Sequence, residues 1–484
     1  MAGSRRRQLQ RQRQREAAAS ASAHRDLPPK PTPGGQDRPS TTSIADLPPE
    51  LLAQIQRRIH LADRLNLALA GYGGGSSWQE APCLVLPTGE SAETAKFISL
   101  SAVAAAGGCQ VVTARAPDPA MRGHVVLGSS GGWLVTADLQ GALRMANPVT
   151  GEQANLPGIS TGTIPFHEAS HGHVVVDMNA LTLAAGGRRV AAGSSWRPPF
   201  TIANWQMRKW LYRKAVLSSS PRPGSSYAAM LILERHFGAA AFATAGDPAW
   251  RLARRHPSDD SDSDGIEDAI FHDGRFHSLS YSGAVEAWDH DAETGEFVST
   301  PVGPRLALPA GGEEDDAHHP RHRKYIAAAL DGRLVAVLKD SRAFTVEERG
   351  WRSDQQHGPT FEVRVLDGAR GRWEEEEAAD IGDLALFVGV NASMCVSARE
   401  HPGIRAGCVY YAEDELGRAS LRLEGERPHG TSSNACPSSM DNDDYELRDL
   451  GVYVLKHRRA EKVIKGIGRH CSWPLPAWFT PSVV

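Results

Sequence analysis

From Asp46 to Ile59 the apolar residues Leu51, Leu52, Ile55 and Ile59 recur at spacings that place them on one helical face. Asp46 or Pro48 begins the helix and Glu50 sits in its first turn, so a helix is predicted here. A second short stretch, Asp63 to Ala70, carries Leu65, Leu67 and Leu69 and runs into Gly71-Tyr72-Gly73-Gly74-Gly75, where helices end. Beyond Pro82 the period becomes that of strands and tight turns. Residues 131–156 read as strand, turn at Leu139 to Gly141, strand, turn at Pro148 to Gly151, strand. The same device recurs over 268–297: a strand, His272-Asp273-Gly274, a strand from Arg275 to Ser280, a turn at Gly283, and Ala284 to Asp289. Thr-Gly-Glu stands at 150 and again at 294.

Further units follow at Tyr227 to Trp250, Tyr325 to Trp373, Leu384 to Tyr411 and around Gly451 to Leu455. Two Thr-Gly-Glu turns separated by about three steps of ~40 to 50 residues match propeller blades. The predicted fold is therefore mainly β: a β-propeller of six or seven blades over 82–484, preceded by a small α-helical domain at 44–80 and a disordered basic tail at 1–43. A β-sandwich or two smaller barrels is the alternative; radial repetition is favoured because units this similar need a repeated environment.

Composition refines this picture at the N-terminus. Residues 1–45 hold nine basic and three acidic groups, a net +6 that leaves −10 on the remainder of a chain carrying −4 overall. Arg/Gln repeats, Ala/Ser runs and a Pro/Gly segment bury too little apolar surface to offset chain entropy. The Arg5-Arg6-Arg7 cluster could be read by nuclear import, and the acid-poor tail faintly suggests a transit peptide. An acidic body offers no footprint for nucleic acid, and no apolar run is long enough to span a membrane. Six scattered cysteines (Cys83, Cys109, Cys395, Cys408, Cys436, Cys471) suit reduced thiols, so cytoplasm or nucleus is expected.

Motifs that resemble chemistry fail on context. His167-Glu168-Ala169-Ser170-His171 has the spacing of a helical zinc site, but Pro165 precedes it, Gly172 follows it and no third Glu ligand is near. A polar loop is expected. Asp260-Ser261-Asp262-Ser263-Asp264-Gly265 copies the first half of a calcium loop, yet its twelfth position is Phe271 where a bidentate Glu is needed. His318, His319 and His322 fall in a charged linker, and Gly73-Gly74-Gly75-Ser76 lacks the Lys of a phosphate loop. No cofactor, no metal and no catalytic residue is expected.

Residues 46–78, with Asp46-Leu47-Pro48-Pro49-Glu50-Leu51-Leu52, then Ile55, Arg58, Ile59, Asp63, Leu65 and Trp78, resemble an F-box. The remainder resembles the plant F-box family whose C-terminal part is a KIB-type β-propeller. The matching segments are Gly128-Ser129-Ser130-Gly131-Gly132-Trp133-Leu134, Asn147-Pro148-Val149-Thr150-Gly151, Asp268 to Phe276, Phe387 to Asn391, Gly403 to Tyr410, Gly451-Val452-Tyr453 and Trp473 to Phe479. They run in family order from about 46 to 481. Ala70-Gly71-Tyr72 and the following Gly-rich insertion depart from the family pattern before the closing Trp.

The resemblance implies a non-catalytic subunit of a Skp, cullin, F-box ubiquitin ligase. Leu47, Pro48, Leu51, Leu52, Ile55, Ile59, Leu65 and Trp78 would contact a Skp-type adaptor, and through it cullin, while the propeller holds an unknown target protein. Three other readings stay open: an ordinary amphipathic helix packed on the propeller, a propeller binding module outside any ligase with a degenerate F-box, and an enzyme using the propeller funnel.

Overall fold

The computed structural model describes residues 47, 48, 51, 55, 80–86, 94–100, 110–115, 121, 123–159, 164–169, 172–184, 198–222, 224–237, 240–253, 265–307, 322–340, 359–376, 381–401, 403–412, 414, 416, 450–461 and 475–482. The chain divides into two compact units, Met1–Leu52 and Ala53–Val484. In the first, the Leu51 N–H donates to the Pro48 carbonyl at 3.0 Å, closing a turn at the start of the expected helix. The tail 1–43, the insertion Gly73-Gly74-Gly75-Ser76 and the expected adaptor contacts Leu52, Ile59, Leu65 and Trp78 lie outside the described residues.

The second unit is mainly β. The first sheet begins with β1 (Cys83–Leu86), β2 (Thr94–Ser99) and β3 (Gln110–Arg115). The second holds β4 (Val125–Ser130), β5 (Trp133–Ala137), β6 (Leu143–Ala146) and β7 (Gln153–Asn155). A third, with three strands, has β8 (Phe166–Ala169), β9 (His173–Val176) and β10 (Phe200–Ala203), with helix α1 (Met178–Ala184) between the last two and α2 (Asn204–Trp210) after them.

The fourth holds β11 (Tyr212–Leu217), β12 (Ala228–Leu233), β13 (Ala240–Thr244) and β14 (Arg251–Leu252). The fifth holds β15 (Ile266–His272), β16 (Arg275–Ser280), β17 (Val285–His290) and β18 (Phe297–Pro301). The sixth holds β19 (His322–Ala328), β20 (Leu334–Asp340), β21 (Thr360–Asp367) and β22 (Arg372–Glu375). The seventh runs in the order β24 (Ser393–Ser397), β23 (Leu384–Val388), β25 (Cys408–Tyr411), β26 (Gly451–Val454), β27 (Arg459–Glu461), with β23 and β25 parallel. The last described strand, β28 (Ala477–Phe479), returns to pair antiparallel with β1, so the first and last described strands share one sheet.

Turn chemistry sets the strand ends. Asp273 and Gly274 both adopt positive φ between the paired residues His272 and Arg275, the two-residue turn that matches strand twist. The two Thr-Gly-Glu turns are built alike: Asn147 Oδ1 accepts from the N–H groups of Val149 and Thr150, and Asp291 Oδ1 from those of Glu293 and Thr294. Asp367 repeats the bond with Ala369 and Arg370, in a turn whose sequence shares no Thr-Gly-Glu.

Strand faces explain the packing. Along β20, Leu334, Ala336 and Leu338 face the fifth sheet, while Val335 and Val337 face the seventh. Both sides of such a strand are buried, which is why it reads as an unbroken apolar run and not as an alternation. Six apolar clusters follow from this among the described residues, joining the first sheet to the second, the second to the fourth, then fourth to fifth, fifth to sixth, sixth to seventh and seventh back to the first. The cores therefore form a closed cycle, the arrangement of a β-propeller. The three-stranded sheet contributes Phe166, Val174 and Val176 to the cluster between second and fourth. It does not separate them at their inner strands, for β4 packs directly on β11 and a Cβ at Gly128 would collide with the Ala215 carbonyl.

The region read as a polar loop at His167 and Glu168 is strand β8, with both side chains exposed. Successive residues of a strand point to opposite faces, so His167 and Glu168 are not presented as they would be on a helix. His171 and Asp260 to Asp264 lie outside the described residues. No helix among the described residues is long and apolar enough to cross a membrane.

Candidate functional site

The inner strands of the fourth, fifth and sixth sheets each open with a pair of like charges: Arg213-Lys214 on β11, Glu267-Asp268 on β15 and Arg323-Lys324 on β19. All six side chains are buried. Charge alternates from sheet to sheet, so the acidic pair meets a basic pair on both sides. Two of the strands reach this arrangement through bulges, since pairing slips between Tyr212 and Lys214 in β11 and between Ile266 and Asp268 in β15. A bulge leaves one residue outside the ladder and re-aims its side chain. Here the residues so released are Arg213 and Glu267.

The resulting network is dense. Lys214 Nζ donates to Asp268 and, at 3.2 Å, to Ser393 Oγ on β24 of the seventh sheet. Ser393 in turn donates to Asp268 Oδ2 at 2.6 Å, and the same oxygen accepts the Ile326 N–H of β19 at 2.9 Å. Lys324 Nζ stands 2.6 Å from Glu267 Oε2 and Arg323 Nη1 3.8 Å from Oε1, ion pairs without the alignment of hydrogen bonds. Arg213 donates to the carbonyls of Glu267 at 3.2 Å and Asp414 at 3.0 Å. The Asp414 carboxylate accepts from the Tyr325 hydroxyl and, at 3.1 Å, from Lys339 Nζ.

Protonation follows from these partners. Burial pushes Lys214 below the usual lysine range, with Asp268 opposing. Burial and Arg323 pull Arg213 down, but Tyr281, Glu234 and Glu267 leave it raised. For Asp414 burial acts upward, yet Lys339, Arg323, the Tyr325 hydroxyl and Arg213 outweigh it and hold the carboxyl well below the usual range. A depressed carboxylate contributes stability above its unfolded pKa of about 3.9 and loses it as pH falls from there toward the folded value. Melting temperature is accordingly expected to fall between about pH 5 and 3 more steeply in the native chain than in Asp414→Asn; parallel curves would show that Asp414 is not the group involved.

Chemically, the Lys214–Ser393 contact has the atoms of a nucleophile and base, but not the proton arrangement. Ser393 donates to Asp268, which also accepts from Lys214 Nζ. What the network does is tie the inner strands of four sheets together at the centre of the cycle. Among the described residues no group of three His, Cys, Asp or Glu side chains is placed to hold a metal ion.

The sequence-predicted contacts lie elsewhere. Leu51 and Ile55 are helical and 46% and 39% exposed; Leu47 is half-buried and Pro48 exposed. Among the described residues the exposed large aromatic side chains gather in one short stretch, Phe200 on β10 with Trp205 and Trp210 on α2, and Lys209 Nζ lies 4.8 Å above the Trp205 ring.

Among curated proteins none matches this chain. Solved structures similar to it include Bacteroides ovatus xyloglucan PUL GH43B, at 12% identity and TM-score 0.26, covering 52% of this chain and 40% of that one. The chain thus spans well under half of that protein. The β-propeller domain of Myceliophteria thermophila Cps50 (Swd1) is similar at 8% identity and TM-score 0.27, with 65% and 78% covered. The RRP9 WD40 repeats are similar at 11% and TM-score 0.27, with 66% and 84% covered. Likenesses this low lend no activity. The KIB1-4 beta-propeller model, by contrast, matches residues 97–453, well over half of the chain and nearly all of the cyclic sheet array, and the chain belongs to that family.

Proposed function

We propose that this β-propeller, a protein-interaction module, serves as the target-recognition subunit of a Skp, cullin, F-box ubiquitin ligase in the cytosol or nucleus. The observation that carries this reading is the pair Leu51 and Ile55, helical, four residues apart, directly after Leu47-Pro48 and uncovered. Apolar side chains at that spacing form one face, and a face left in water calls for a partner. We read the six cores of the cycle as six blades, with the three-stranded sheet inserted between the second and fourth sheets.

No residue of the chain performs chemistry in this reading. Holding a target beside the charged conjugating enzyme makes a rare encounter intramolecular, which is the whole contribution. The exposed Phe200, Trp205 and Trp210 supply the kind of aromatic anchors on which protein interfaces concentrate their energy. The second reading, a propeller acting outside a ligase, is favoured by the Gly71 to Gly75 insertion before the closing Trp78.

Capture on a purified Skp-type adaptor separates them. Truncating one buried helix anchor costs about 2 kcal/mol, near thirtyfold in affinity, so Ile55→Ala with Ile59→Ala is expected to abolish capture, as is a chain starting at Pro82. Equal capture by all three, or by none while a standard F-box protein succeeds, defeats the ligase reading.

A further inference from the structure

Strands β25 and β26 pair antiparallel with Tyr411 directly opposite Gly451, a geometry that a short turn could close, yet residues 412–450 stand between them. Connections of that length between adjacent strands of a compact domain are uncommon, being either functional or linker segments. The described part of this one does not stay near its own sheet. Asp414 is 3% exposed and lies among β11, β19 and β20 of the fourth and sixth sheets, and Leu416 is buried in the cluster between the second and fourth. The start of the connection therefore enters the centre of the cycle. There the Tyr325 hydroxyl and Lys339 Nζ converge on the Asp414 carboxylate and Arg213 on its carbonyl, with Arg323 close enough to act on its charge. Donors from three strands on two sheets make a receptor for an anion, and the chain's own aspartate fills it.

We propose that Arg213, Arg323, Tyr325 and Lys339 form an anion-binding site at the centre of the propeller, occupied in cis by Asp414, which a carboxylate or phosphate group on a target protein enters by displacing it. This deepens the target-binding half of the reading above, and its test uses no adaptor, so either can fail alone. The fold would then carry its own competitor, and target affinity would depend on how readily Asp414 leaves.

The experiment compares full-length chain, Asp414→Ala, and Asp414→Ala combined with Lys339→Met, each melted in acetate, inorganic phosphate or chloride at equal ionic strength. A ligand that binds the folded state raises its melting temperature. At about ten times its dissociation constant the shift for a domain this size is about 2 °C. Acetate, phosphate or both are expected to stabilise Asp414→Ala by that much over chloride, to leave the full-length native chain within about 1 °C, and to act weakly on the double variant. The better anion names the class of side chain. Should Asp414→Ala not fold in chloride, its refolding yield from urea replaces the melt, with about a tenfold gain expected in the preferred anion. Equal response of native chain and variant, or none beyond chloride in either readout, overturns the proposal.

Discussion

A chain ending at Pro474 is expected to lose cooperative folding and to aggregate. The residues removed include β28, whose Trp478 and Phe479 are fully buried. Trp478 exchanges both backbone groups with the Asn391 side chain, at 3.1 and 2.6 Å, and its indole N–H donates to the Val388 carbonyl at 3.0 Å. Phe479 packs on Phe97 with ring centres 5.6 Å apart. Deleting one such aromatic side chain costs about 3 to 5 kcal/mol, and two together approach the ~5 to 15 kcal/mol that holds a whole domain folded. The truncation also bares the edge of β1, a template for pairing with another chain. Soluble yield and a thermal melt decide the matter: no sigmoidal transition is expected, while Trp478→Ala alone should melt roughly 5 °C below the native chain. An unchanged melt for the truncated chain would show that β28 does not close the cycle.

Removing Asp268 should be nearly as damaging. Its carboxylate is the shared acceptor of Lys214, Ser393 and the Ile326 N–H, all away from water. Breaking a buried pair by deleting one partner costs about 3 to 5 kcal/mol because the other charge stays buried and unmatched. For a unit running from Ala53 to Val484 each kcal/mol lowers the melting temperature by roughly 1 to 2 °C, so Asp268→Ala is expected to melt about 5 °C low. Replacing both partners with apolar side chains, Asp268→Leu with Lys214→Met, is expected to recover most of that loss. Equal destabilisation of the single and double variants would mean that shape, not charge, is what this part of the cycle requires.

Sequence reading reached the repeat, because turn chemistry is local. Asp273-Gly274 and both Thr-Gly-Glu turns lie where the strands end, and the strands over 131–156 and 268–297 form as read. The third turn of that kind, at Asp367, is not legible from a Thr-Gly-Glu signature because Arg370 and Arg372 replace the Thr and the Glu, leaving the capping oxygen of Asp367 and Gly371 as the shared features. Helices α1 and α2 were missed for a related reason: seven residues each, they are too short for a period to stand out from the strands around them.

The charged centre was legible in principle. Arg213-Lys214, Glu267-Asp268 and Arg323-Lys324 each stand beside an apolar strand run, and three such pairs of alternating sign in successive repeats are a pattern. Taken singly, each reads as a solvated strand end. What hides it is the bulging of β11 and β15, which turns Arg213 and Glu267 inward and depends on long-range pairing. Asp414 could not be found from its neighbours in sequence, since its partners Tyr325 and Lys339 lie on another sheet.

The propeller and the ligase reading are joined at one point, simultaneous binding of adaptor and target. Tagged full-length chain and a chain starting at Pro82 should be purified from the native tissue and their partners compared by mass spectrometry. The full-length chain is expected to bring down a Skp-type adaptor, cullin and a target protein, and the shorter chain the same target without adaptor or cullin. Recovery of a target with both chains and of adaptor with neither, while a standard F-box protein recovers it from the same extract, would contradict the ligase and leave a propeller that binds its partner alone.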